Sequence, residues 1–474
     1  MGGFSWARER DHTVPFGIPL ERGEEVLCRE LLRLLPGRRI VCRAEQDGRS
    51  MLVKVFPGGH GRKEVRRERA GAAALRRAGV LSPELLFEGV VAGTDWPLVA
   101  YEYLPEAGSL RRLLDSGTLR GRQDLVLEVV RLIAFQHAGG LWQQDPHPDN
   151  FLLDGDGRVW SIDAGGYRDR KRPLGRRASM DRLGLLVAQF PAVIRPTPET
   201  ILRAYCEVRG ASWDPLRLER RFERAVTRWT RWRFIKYGRK SLRDCSEFET
   251  GRISGFHVIK RRELERELLD AWVSGGGLSP EPGCRVLKEG NSQTVWSTRL
   301  GETPVVVKRY NTKGRWHALR RTMAGDRAER AWKAAHWLRA CGIPTPMPLA
   351  LIREKRGLLV GEAWLVTGRA SGRSAYLLDE EGWSREQVEE LARMVVQLGA
   401  LGLVHGDMKA SNFLIGEEGV QVIDLDSLSR PRWRWLRERG VRADRERFLR
   451  NWKDPELRAA FEAALAEAEA AFRL

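Results

Sequence analysis

An aspartate followed five residues later by an asparagine, directly ahead of a Phe-Leu pair, occurs twice in this chain of 474 residues. The first copy is Asp145 and Asn150 in WQQDPHPDNFLL, and the second is Asp407 and Asn412 in HGDMKASNFLI. Carboxylate and amide oxygens of this kind can orient an attacking hydroxyl and hold Mg²⁺, which phosphoryl transfer from a nucleotide requires. The same chemistry requires a cation on the phosphates, so each half should also contain a suitably placed lysine.

Each half does contain a lysine at the end of an apolar strand pattern and a further aspartate after the Asp-Asn pair. Lys54 ends MLVK and Lys308 ends VVVK, while Asp163 follows VWSI and Asp424 follows VQVI. The two halves are offset by 254 positions at the lysines, 262 at the Asp-Asn pairs and 261 at the later aspartates. Offsets this steady are hard to obtain by chance and indicate an internal repeat.

A glutamate on the helix after each lysine strand could hold the lysine in place. In the first half the candidate is Glu68, with Glu64 as a competitor on the same predicted helix, residues 63–77. In the second half it is Glu329, for which an exposed helix charge is the alternative interpretation.

Local patterns predict the elements that position these residues. GRRIVCRAEQDGRSMLVKVF alternates apolar and polar residues around a Gln-Asp-Gly-Arg turn, which predicts a β-hairpin ending at Lys54. Ser384 and Gln387 form a predicted capping box. The helix that follows has one apolar face, formed by Val388, Leu391, Val395 and Leu398.

The order lysine, glutamate, Asp-Asn pair and strand-end aspartate resembles the protein-kinase-like superfamily. The second half is similar to the bacterial lipopolysaccharide core kinases that phosphorylate Kdo or heptose. The stretches that carry this similarity, along most of residues 240–452, are LRDCSEF, LKEGNSQTVW, VVVKRYN, WHALRR, GIPTPMPLAL, HGDMKASNFLI and DRERFLRNW. The first half is similar more loosely, through LLPGRRIV, MLVKVF, DPHPDNFLL and VWSIDAGG.

The resemblance implies a role for each candidate residue, with ATP and Mg²⁺ as the cofactors. The implied roles are catalytic for Asp407, Asp145 and Lys409, phosphate-positioning for Lys308, Glu329, Lys54 and Glu68, and metal-binding for Asn412, Asp424, Asn150 and Asp163.

The resemblance also implies an α+β fold of two tandem bilobal protein-kinase-like domains, each with a β-rich N-lobe and a helical C-lobe. We expect the first domain at residues 1–212, a basic helical connector at 213–243 and the second domain at 244–474. In the connector, an apolar face of Phe222, Ala225, Val226 and Trp229 is surrounded by arginines. Two interpretations stay open for it, packing on the first domain or contact with a membrane surface.

The first half departs further from the family pattern than the second. Gln143 stands where the second half has His405, and His147 stands where it has Lys409. The motif after the later strand is Asp-Ala-Gly in the first half and Asp-Leu-Asp in the second, and neither half has a full GxGxxG loop. The sequence therefore predicts that the second half performs most of the phosphoryl transfer and that the first half is closer to a pseudokinase.

The charge of the chain indicates what class of binding partner it has. The chain has 82 basic against 63 acidic residues, a net charge of +19, which favours an acidic partner. Residues 168–177 hold six Arg or Lys against one Asp, and residues 217–243 hold eleven against two Glu. The sequence contains no zinc spacing or RRM motif, so nucleic-acid binding is not expected. With no long apolar run and no secretory pattern at the start, we expect a cytoplasmic chain, peripheral at the inner face of the inner membrane.

The expected function is ATP-dependent phosphorylation of a sugar hydroxyl, Kdo or heptose, in the lipopolysaccharide inner core. The expected partners are a lipid-linked anionic sugar substrate and an anionic membrane surface. A protein or other small-molecule kinase is the alternative, and a kinase-like scaffold without turnover is a third possibility. The sequence does not indicate the oligomeric state. The six cysteines are far apart in the chain, with no CxxC pair, and are expected to be reduced thiols.

Overall fold

The computed structural model describes residues 14–105, 107–116, 119–191, 194–210, 212–280, 284–311, 327–356, 359–380, 382–417 and 419–473. The WHALRR stretch lies outside these residues. The chain has mixed α and β structure and divides into two compact units. The first unit contains Met1–Phe190 and Ile194–Thr227, and the second contains Pro191–Val193 and Arg228–Leu474.

The first unit opens with a six-stranded antiparallel sheet in the order β1-β2-β3-β4-β6-β5. The strands of this unit are β1 (Phe16–Pro19), β2 (Glu25–Leu35), β3 (Arg39–Gln46), β4 (Arg49–Val55), β5 (Leu85–Val90), β6 (Pro97–Glu102), β7 (Gly108–Ser109), β8 (Leu141–Gln143), β9 (Phe151–Leu153), β10 (Val159–Ser161) and β11 (Tyr167–Asp169). The predicted hairpin is confirmed as β3 and β4. Asp47 and Gly48 form its turn with positive φ angles of 50° and 72°, which glycine adopts without a steric penalty.

The helix α1 (Gly61–Arg77) packs on this sheet. The helices that follow later in the chain are α2 (Leu110–Ser116), α3 (Leu119–Ala138), α4 (Arg176–Val187), α5 (Pro198–Arg209) and α6 (Pro215–Lys240). The division between the two units falls within α6. The α1 helix contacts β5 and β6 through a face that includes Val65, Ala74 and Leu75. Glu68 and Gly71 are also buried on this helix, which brings a carboxylate into the interior. In α6, Phe222 and Ala225 are buried, as the apolar face predicts.

The second unit repeats this order with a seven-stranded antiparallel sheet, β12-β13-β17-β18-β16-β15-β14. Its strands are β12 (Phe248–Ile253), β13 (Phe256–Arg261), β14 (Arg285–Gly290), β15 (Gln293–Leu300), β16 (Thr303–Tyr310), β17 (Pro348–Arg356), β18 (Leu359–Gly368), β19 (Arg373–Ser374), β20 (Phe413–Gly416) and β21 (Gly419–Val422). Its further helices are α7 (Arg266–Ser274), α8 (Arg327–Ala340), α9 (Arg385–Ala400), α10 (Arg434–Leu449) and α11 (Pro455–Arg473). The α8 helix contacts β17 and β18, as α1 contacts the first sheet.

The predicted capping box is confirmed at the start of α9. The Ser384 hydroxyl accepts a hydrogen bond from the Gln387 backbone N–H, and the Gln387 side chain accepts one from the Ser384 N–H. All four residues of the predicted apolar face of α9 are buried, in a core shared with α11 and the strands β20 and β21. This core lies directly beneath the loop that contains Asp407.

The six cysteines are all free thiols, as predicted. Within the part of the chain that the structure describes, no helix has the length and apolar character needed to cross a membrane.

Candidate active site

In the second unit, the strand lysine and the strand-end aspartate are in direct contact. Lys308 lies on β16, and its Nζ is 2.6 Å from Asp424 Oδ1 and 2.9 Å from Asp426 Oδ2. Burial alone would raise the pKa of the Asp424 carboxyl, but the charge and hydrogen bond of Lys308 outweigh burial and lower it. Asp424 is therefore held as an anion beside a cation, as a phosphate and metal site requires.

Asp424 has a backbone conformation that few residues adopt. It precedes the short 3₁₀ turn Leu425–Ser427 with φ 57° and ψ 64°, and Asp163 precedes the turn Ala164–Gly166 with φ 62° and ψ 59°. Left-handed backbone is unfavourable for residues other than glycine, although aspartate tolerates it better than most. The same conformation at both strand-end aspartates indicates that the two turns present their carboxylates in the same way, a constraint typical of functional sites.

In the first unit, Lys54 contacts two carboxylates, one of them from the predicted helix glutamate. Its Nζ is 2.9 Å from Glu68 Oε1 and 3.1 Å from Asp163 Oδ1. Glu68 Oε2 also accepts hydrogen bonds from the Tyr101 hydroxyl at 2.9 Å and from the Gly165 backbone N–H at 3.1 Å. The structure therefore brings together Lys54, Glu68 and Asp163. Glu64 contacts Arg67 and Arg39 instead.

In the second unit, Glu329 does not contact Lys308. Glu329 forms ion pairs with Lys333 on its own helix and with Arg353 at 2.8 Å, and none of the ion pairs among the described residues joins it to Lys308. A glycine with positive φ follows both α1 and α8, at Gly79 and Gly342. When the two helices are aligned on these glycines, Ala331, which is buried, occupies the position of Glu68. The lysine-holding role predicted for Glu329 is thus filled in this structure by a different residue.

That residue is Asp426, two positions after Asp424. One carboxylate oxygen accepts from the Tyr310 hydroxyl at 2.6 Å, and the other lies 3.1 Å from Arg327 as well as 2.9 Å from Lys308. Asp426 is buried, so these contacts compensate for the removal of its charge from water. Burial and the charge of Asp426 together raise the pKa of Tyr310 well above its usual value, so that Tyr310 remains a hydrogen-bond donor.

The loop of the second Asp-Asn pair places two cations on the carboxylate of Asp407. Arg447 Nη1 is 3.0 Å from Asp407 Oδ1, and Lys409 Nζ is 3.1 Å from Oδ2. The Asn412 side-chain amide donates to the Asp407 carbonyl oxygen at 2.8 Å, which leaves the amide oxygen of Asn412 as a potential metal ligand. The Ile423 N–H donates to the Asn412 carbonyl at 2.8 Å and thus ties this loop to the strand that ends at Asp424.

The first unit has the same loop framework with different side chains around its aspartate. Asn150 donates to the Asp145 carbonyl at 3.0 Å, and the Ile162 N–H donates to the Asn150 carbonyl at 2.9 Å. The Asp145 carboxylate is 3.5 Å from the neutral Gln189 amide. His147, at the position of Lys409, lies 2.7 Å from Asp149.

Gln143, which stands at the position of His405, contacts the backbone next to the strand-end aspartate. Its side-chain amide donates to the Ile162 carbonyl, directly before Asp163, at 3.2 Å. In the second unit His405 is buried, and its Nδ1 accepts from the Asp407 N–H at 3.3 Å. The His405 ring also interacts with the backbone of Ile423, the counterpart of Ile162, so both residues support the backbone directly before the strand-end aspartate.

Three residues near the C-terminus of the second unit support the Asp407 loop, and none was assigned a role from the sequence. Asp444 accepts hydrogen bonds from the N–H groups of His405 at 2.6 Å and Gly406 at 2.9 Å. Arg447 also donates to the Gly406 carbonyl, and Asn451 donates to the Met408 carbonyl at 2.8 Å. All three lie within DRERFLRNW, one of the stretches that carry the family resemblance, so the sequence marks this segment without indicating its contacts with the Asp407 loop.

The oxygen donors Asn412 and Asp424 suit Mg²⁺, which binds proteins through one or two carboxylates, substrate phosphates and waters. Asn150 and Asp163 offer the same pair in the first unit. Among the described residues, no cluster of three or more His, Cys, Asp and Glu side chains is arranged to hold a metal.

A strand lysine, an Asp-Asn loop and a strand-end aspartate that meet in this way define a kinase-like site. Residues 283–468 match the model of the lipopolysaccharide kinase (Kdo/WaaP) family. The matched region of the chain is thus similar to that kinase-like family, which confirms the resemblance predicted from its sequence.

Two curated proteins are similar to parts of the chain. The 3-deoxy-D-manno-octulosonic acid kinase of Xylella fastidiosa is 28% identical over 197 residues, which are 39% of this chain and 76% of that protein. The MAP kinase kinase kinase SSK2 of Saccharomyces cerevisiae is 28% identical over 141 residues, which are 29% of this chain and 8% of that protein. The chain thus spans most of the bacterial relative and a small part of the yeast one.

Proposed function

We propose that the chain is an ATP-dependent phosphotransferase that phosphorylates a Kdo or heptose hydroxyl of the lipopolysaccharide inner core, mainly through its second domain. The observation that carries this proposal is the second-unit site, where Lys308 contacts Asp424 and a backbone hydrogen bond ties Asp424's strand to the Asn412 loop. The match of residues 283–468 to the lipopolysaccharide kinase family and the similarity to the 3-deoxy-D-manno-octulosonic acid kinase of Xylella fastidiosa support a sugar acceptor.

In the proposed reaction, the Asp407 carboxylate orients the acceptor hydroxyl and takes its proton as the sugar oxygen bonds to the γ-phosphorus. The bond from the γ-phosphorus to the β,γ-bridging oxygen breaks, and ADP leaves. Lys308 binds the phosphates of ATP, and Lys409 contacts the phosphoryl group while it is transferred. Mg²⁺, held by Asn412 and Asp424, would neutralise charge on the phosphate oxygens.

We propose that the first unit is a second kinase-like domain that binds nucleotide and contributes less to transfer. Support comes from the Lys54, Glu68 and Asp163 contacts, which supply the phosphate-positioning and metal-binding groups. Two bilobal domains at 1–212 and 244–474, with 213–243 between them, remain the domain organisation that we propose. The basic patches 168–177 and 217–243 suit an anionic membrane surface and a lipid-linked acceptor.

A protein kinase is the second candidate, favoured by the similarity of part of the chain to the yeast MAP kinase kinase kinase. One assay separates the two. The purified full chain would be incubated with radiolabelled ATP, MgCl₂ and one acceptor at a time: Kdo-containing lipid A, heptose-containing core, a general protein substrate, or water alone.

Label transfer to a core acceptor well above both the protein substrate and water is the expected result. Preferential labelling of protein would favour the second candidate, and hydrolysis without acceptor labelling would contradict both. The phosphate content of lipid-linked core sugars in cells lacking the protein is the matching measurement in vivo.

A further inference from the structure

Two tryptophans at the beginning of α10 differ from the core tryptophans of the second unit by their exposure. Trp433 is 58% exposed and Trp435 is 60% exposed, whereas Trp332 and Trp337 are buried. A tryptophan that leaves most of its ring in water forgoes a large part of the stabilisation that burial of the ring would provide. Two such rings two residues apart therefore indicate a surface that binds something.

The surroundings of these rings are strongly basic. Residues 430–442 contain six arginines and one glutamate. The Arg432 guanidinium lies 5.4 Å from the centre of the Trp433 ring, and the Arg434 side chain is 84% exposed with an ion pair to Glu438. Residues 432–435, Arg-Trp-Arg-Trp, thus present aromatic and cationic groups together, and we call them the Trp433 surface.

An anionic lipid bilayer matches this chemistry. Tryptophan prefers the interface between headgroups and acyl chains because its ring is apolar while its indole N–H can still bond to polar groups. Arginines next to the ring are attracted to lipid phosphates through a screened charge interaction. Single-stranded nucleic acid also binds aromatic and basic groups, but the chain lacks a recognisable nucleic-acid motif.

We propose that the Trp433 surface docks the second unit on an anionic membrane. This inference deepens the proposed function, since it rests on an acceptor that is anchored in lipid. It is distinct from the basic patches at 168–177 and 217–243, because it assigns the contact to exposed tryptophans and to a particular end of α10.

The opposite end of the same helix holds the candidate catalytic loop. Asp444 accepts from the backbone of His405 and Gly406, and Arg447 contacts the Asp407 carboxylate. Trp435 and Arg447 are twelve residues apart on α10, or about 18 Å along a regular helix. Docking through the tryptophans would therefore place the Asp407 loop at a fixed height above the bilayer, where the sugar of a lipid-linked acceptor extends.

The direct test is co-sedimentation of the full chain with vesicles of phosphatidylglycerol and phosphatidylethanolamine, compared with vesicles of phosphatidylcholine alone. We expect the Trp433→Ala/Trp435→Ala variant to bind anionic vesicles at least about tenfold more weakly than the unchanged chain. The Arg432→Glu/Arg434→Glu variant should bind weakly and lose most of the dependence on salt. Both variants change exposed side chains, so their melting temperatures should match that of the unchanged chain.

The matched control is Tyr376→Ala/Leu377→Ala, which removes two other exposed apolar side chains, 67% and 55% exposed, from the same unit. Its vesicle binding should be unchanged. The proposal is overturned if the tryptophan variant binds as well as the unchanged chain, or if the control loses as much binding. It is also overturned if the chain ignores vesicles and binds a single-stranded oligonucleotide through these tryptophans.

Turnover provides a second measurement that separates this inference from the proposed function. The tryptophan variant should phosphorylate an acceptor embedded in vesicles more slowly while retaining activity on the same acceptor dispersed in detergent. Absence of any turnover by the unchanged chain would contradict the proposed function but leave the vesicle result standing. Equal activity of the variant on both forms of the acceptor would count against docking.

Discussion

The two units place a tyrosine hydroxyl and two carboxylates around a strand lysine, but they take the second carboxylate from different places. In the first unit it is Glu68 from α1, and in the second it is Asp426 from the turn after the strand-end aspartate. The lysine environment is thus similar while its sequence origin differs. A buried lysine requires compensation of its charge, and either residue supplies it.

The turn after the strand-end aspartate explains why the first unit takes the second carboxylate from α1. Gly165 stands at the position of Asp426, and a Cβ on it would lie 2.9 Å from Glu68 Oε1. Gly71, one turn after Glu68, has no room for a Cβ either, because the atom would lie 1.9 Å from the Ala164 carbonyl oxygen. In the first unit, two glycines therefore allow α1 to approach the turn closely enough for Glu68 to reach Lys54.

The loops of the Asp-Asn pairs differ in charge. Asp407 contacts Arg447 and Lys409, two cations, whereas Asp145 lies near the neutral amide of Gln189. A transferring phosphoryl group carries negative charge, so a cation beside the catalytic aspartate stabilises it. On this basis the second unit is better equipped for transfer, and the following experiments test that difference.

The largest expected effect is loss of the Asp407 carboxylate. Asp407→Ala should lower turnover about a thousandfold or more, because a carboxylate that orients the nucleophile typically contributes several kcal/mol to transition-state stabilisation. Asp145→Ala should have a much smaller effect. The measurement is ATP-dependent phosphate incorporation into purified lipopolysaccharide core acceptor, with thermal melting as the folding control.

The reverse result would show that the halves are assigned the wrong way round. If both variants abolish transfer, each to a different hydroxyl, the chain is bifunctional and the comparison of the two loops requires revision.

The next effect concerns the carboxylates that hold Lys308. Asp426→Asn should reduce kcat by about ten- to a hundredfold, because a buried charged hydrogen bond contributes on the order of 1.5–3 kcal/mol. Glu329→Gln is the matched control and should leave kcat near its original value, since Glu329 pairs with Lys333 and Arg353. A large loss for Glu329→Gln with little change for Asp426→Asn would restore the role predicted from the sequence.

A considerable part of this picture could be predicted from the sequence, for a definite reason. The hairpin before Lys54, the capping box of α9 and the apolar face of α6 depend on neighbouring residues, and local patterns reveal such features. The lysine and aspartate positions were found because their offsets repeat between the halves. If the strand of Lys308 and the strand before Asp424 form one site, these two residues should be in contact although they are 116 positions apart, as the structure shows.

The partner of Lys308 could not be predicted in the same way. The sequence favours Glu329 because it is acidic and lies on the correct helix, but successive residues of a helix point in different directions, so the correct helix does not ensure the correct face. The repeat contained a usable signal, since aligning the glycines that follow the two helices puts Ala331 at the position of Glu68. The choice of Asp426 depends on a left-handed backbone at Asp424, which sequence patterns alone do not reveal.

The close approach of α1 to the Asp-Ala-Gly turn provides a third test. Gly71→Ala should destabilise the first unit by about 1–3 kcal/mol, because the added Cβ would overlap backbone atoms that cannot rotate away. Gly59→Ala is the control, as a Cβ there has nothing within 4 Å. Urea unfolding, together with hydrogen exchange of the α1 amides, measures the change in stability. Equal stability of the two variants would contradict this packing.

Ala334 is the counterpart of Gly71 in the second unit and already has a Cβ. Ala334→Gly should therefore have a small effect of roughly 1 kcal/mol, the ordinary helix penalty of glycine. A larger loss would indicate that α8 depends on this side chain for its packing.

A further expected effect is a pH dependence of stability that the two units share. Burial lowers the pKa of His137 and of His336 to about 3, with nearby arginines adding to the shift. In the unfolded chain a histidine takes up a proton near pH 6.5, while the folded chain keeps these two neutral until about pH 3. Protonation therefore favours the unfolded state, and stability falls as the pH decreases from 6.5 towards 3.

Each histidine should reduce the free energy of unfolding by about 1.4 kcal/mol per pH unit below 6.5, or roughly that amount at pH 5.5. His336 packs against Trp332 and Phe248, so His336→Phe removes the titration from an aromatic environment, and His137→Gln retains a polar partner for Tyr205. Urea unfolding at pH 7.5, 6.5 and 5.5 should show a shallower decline for each variant than for the unchanged chain. Parallel pH profiles for all three proteins would mean that neither histidine is buried in its neutral form, and a change in one variant alone would limit the effect to that unit.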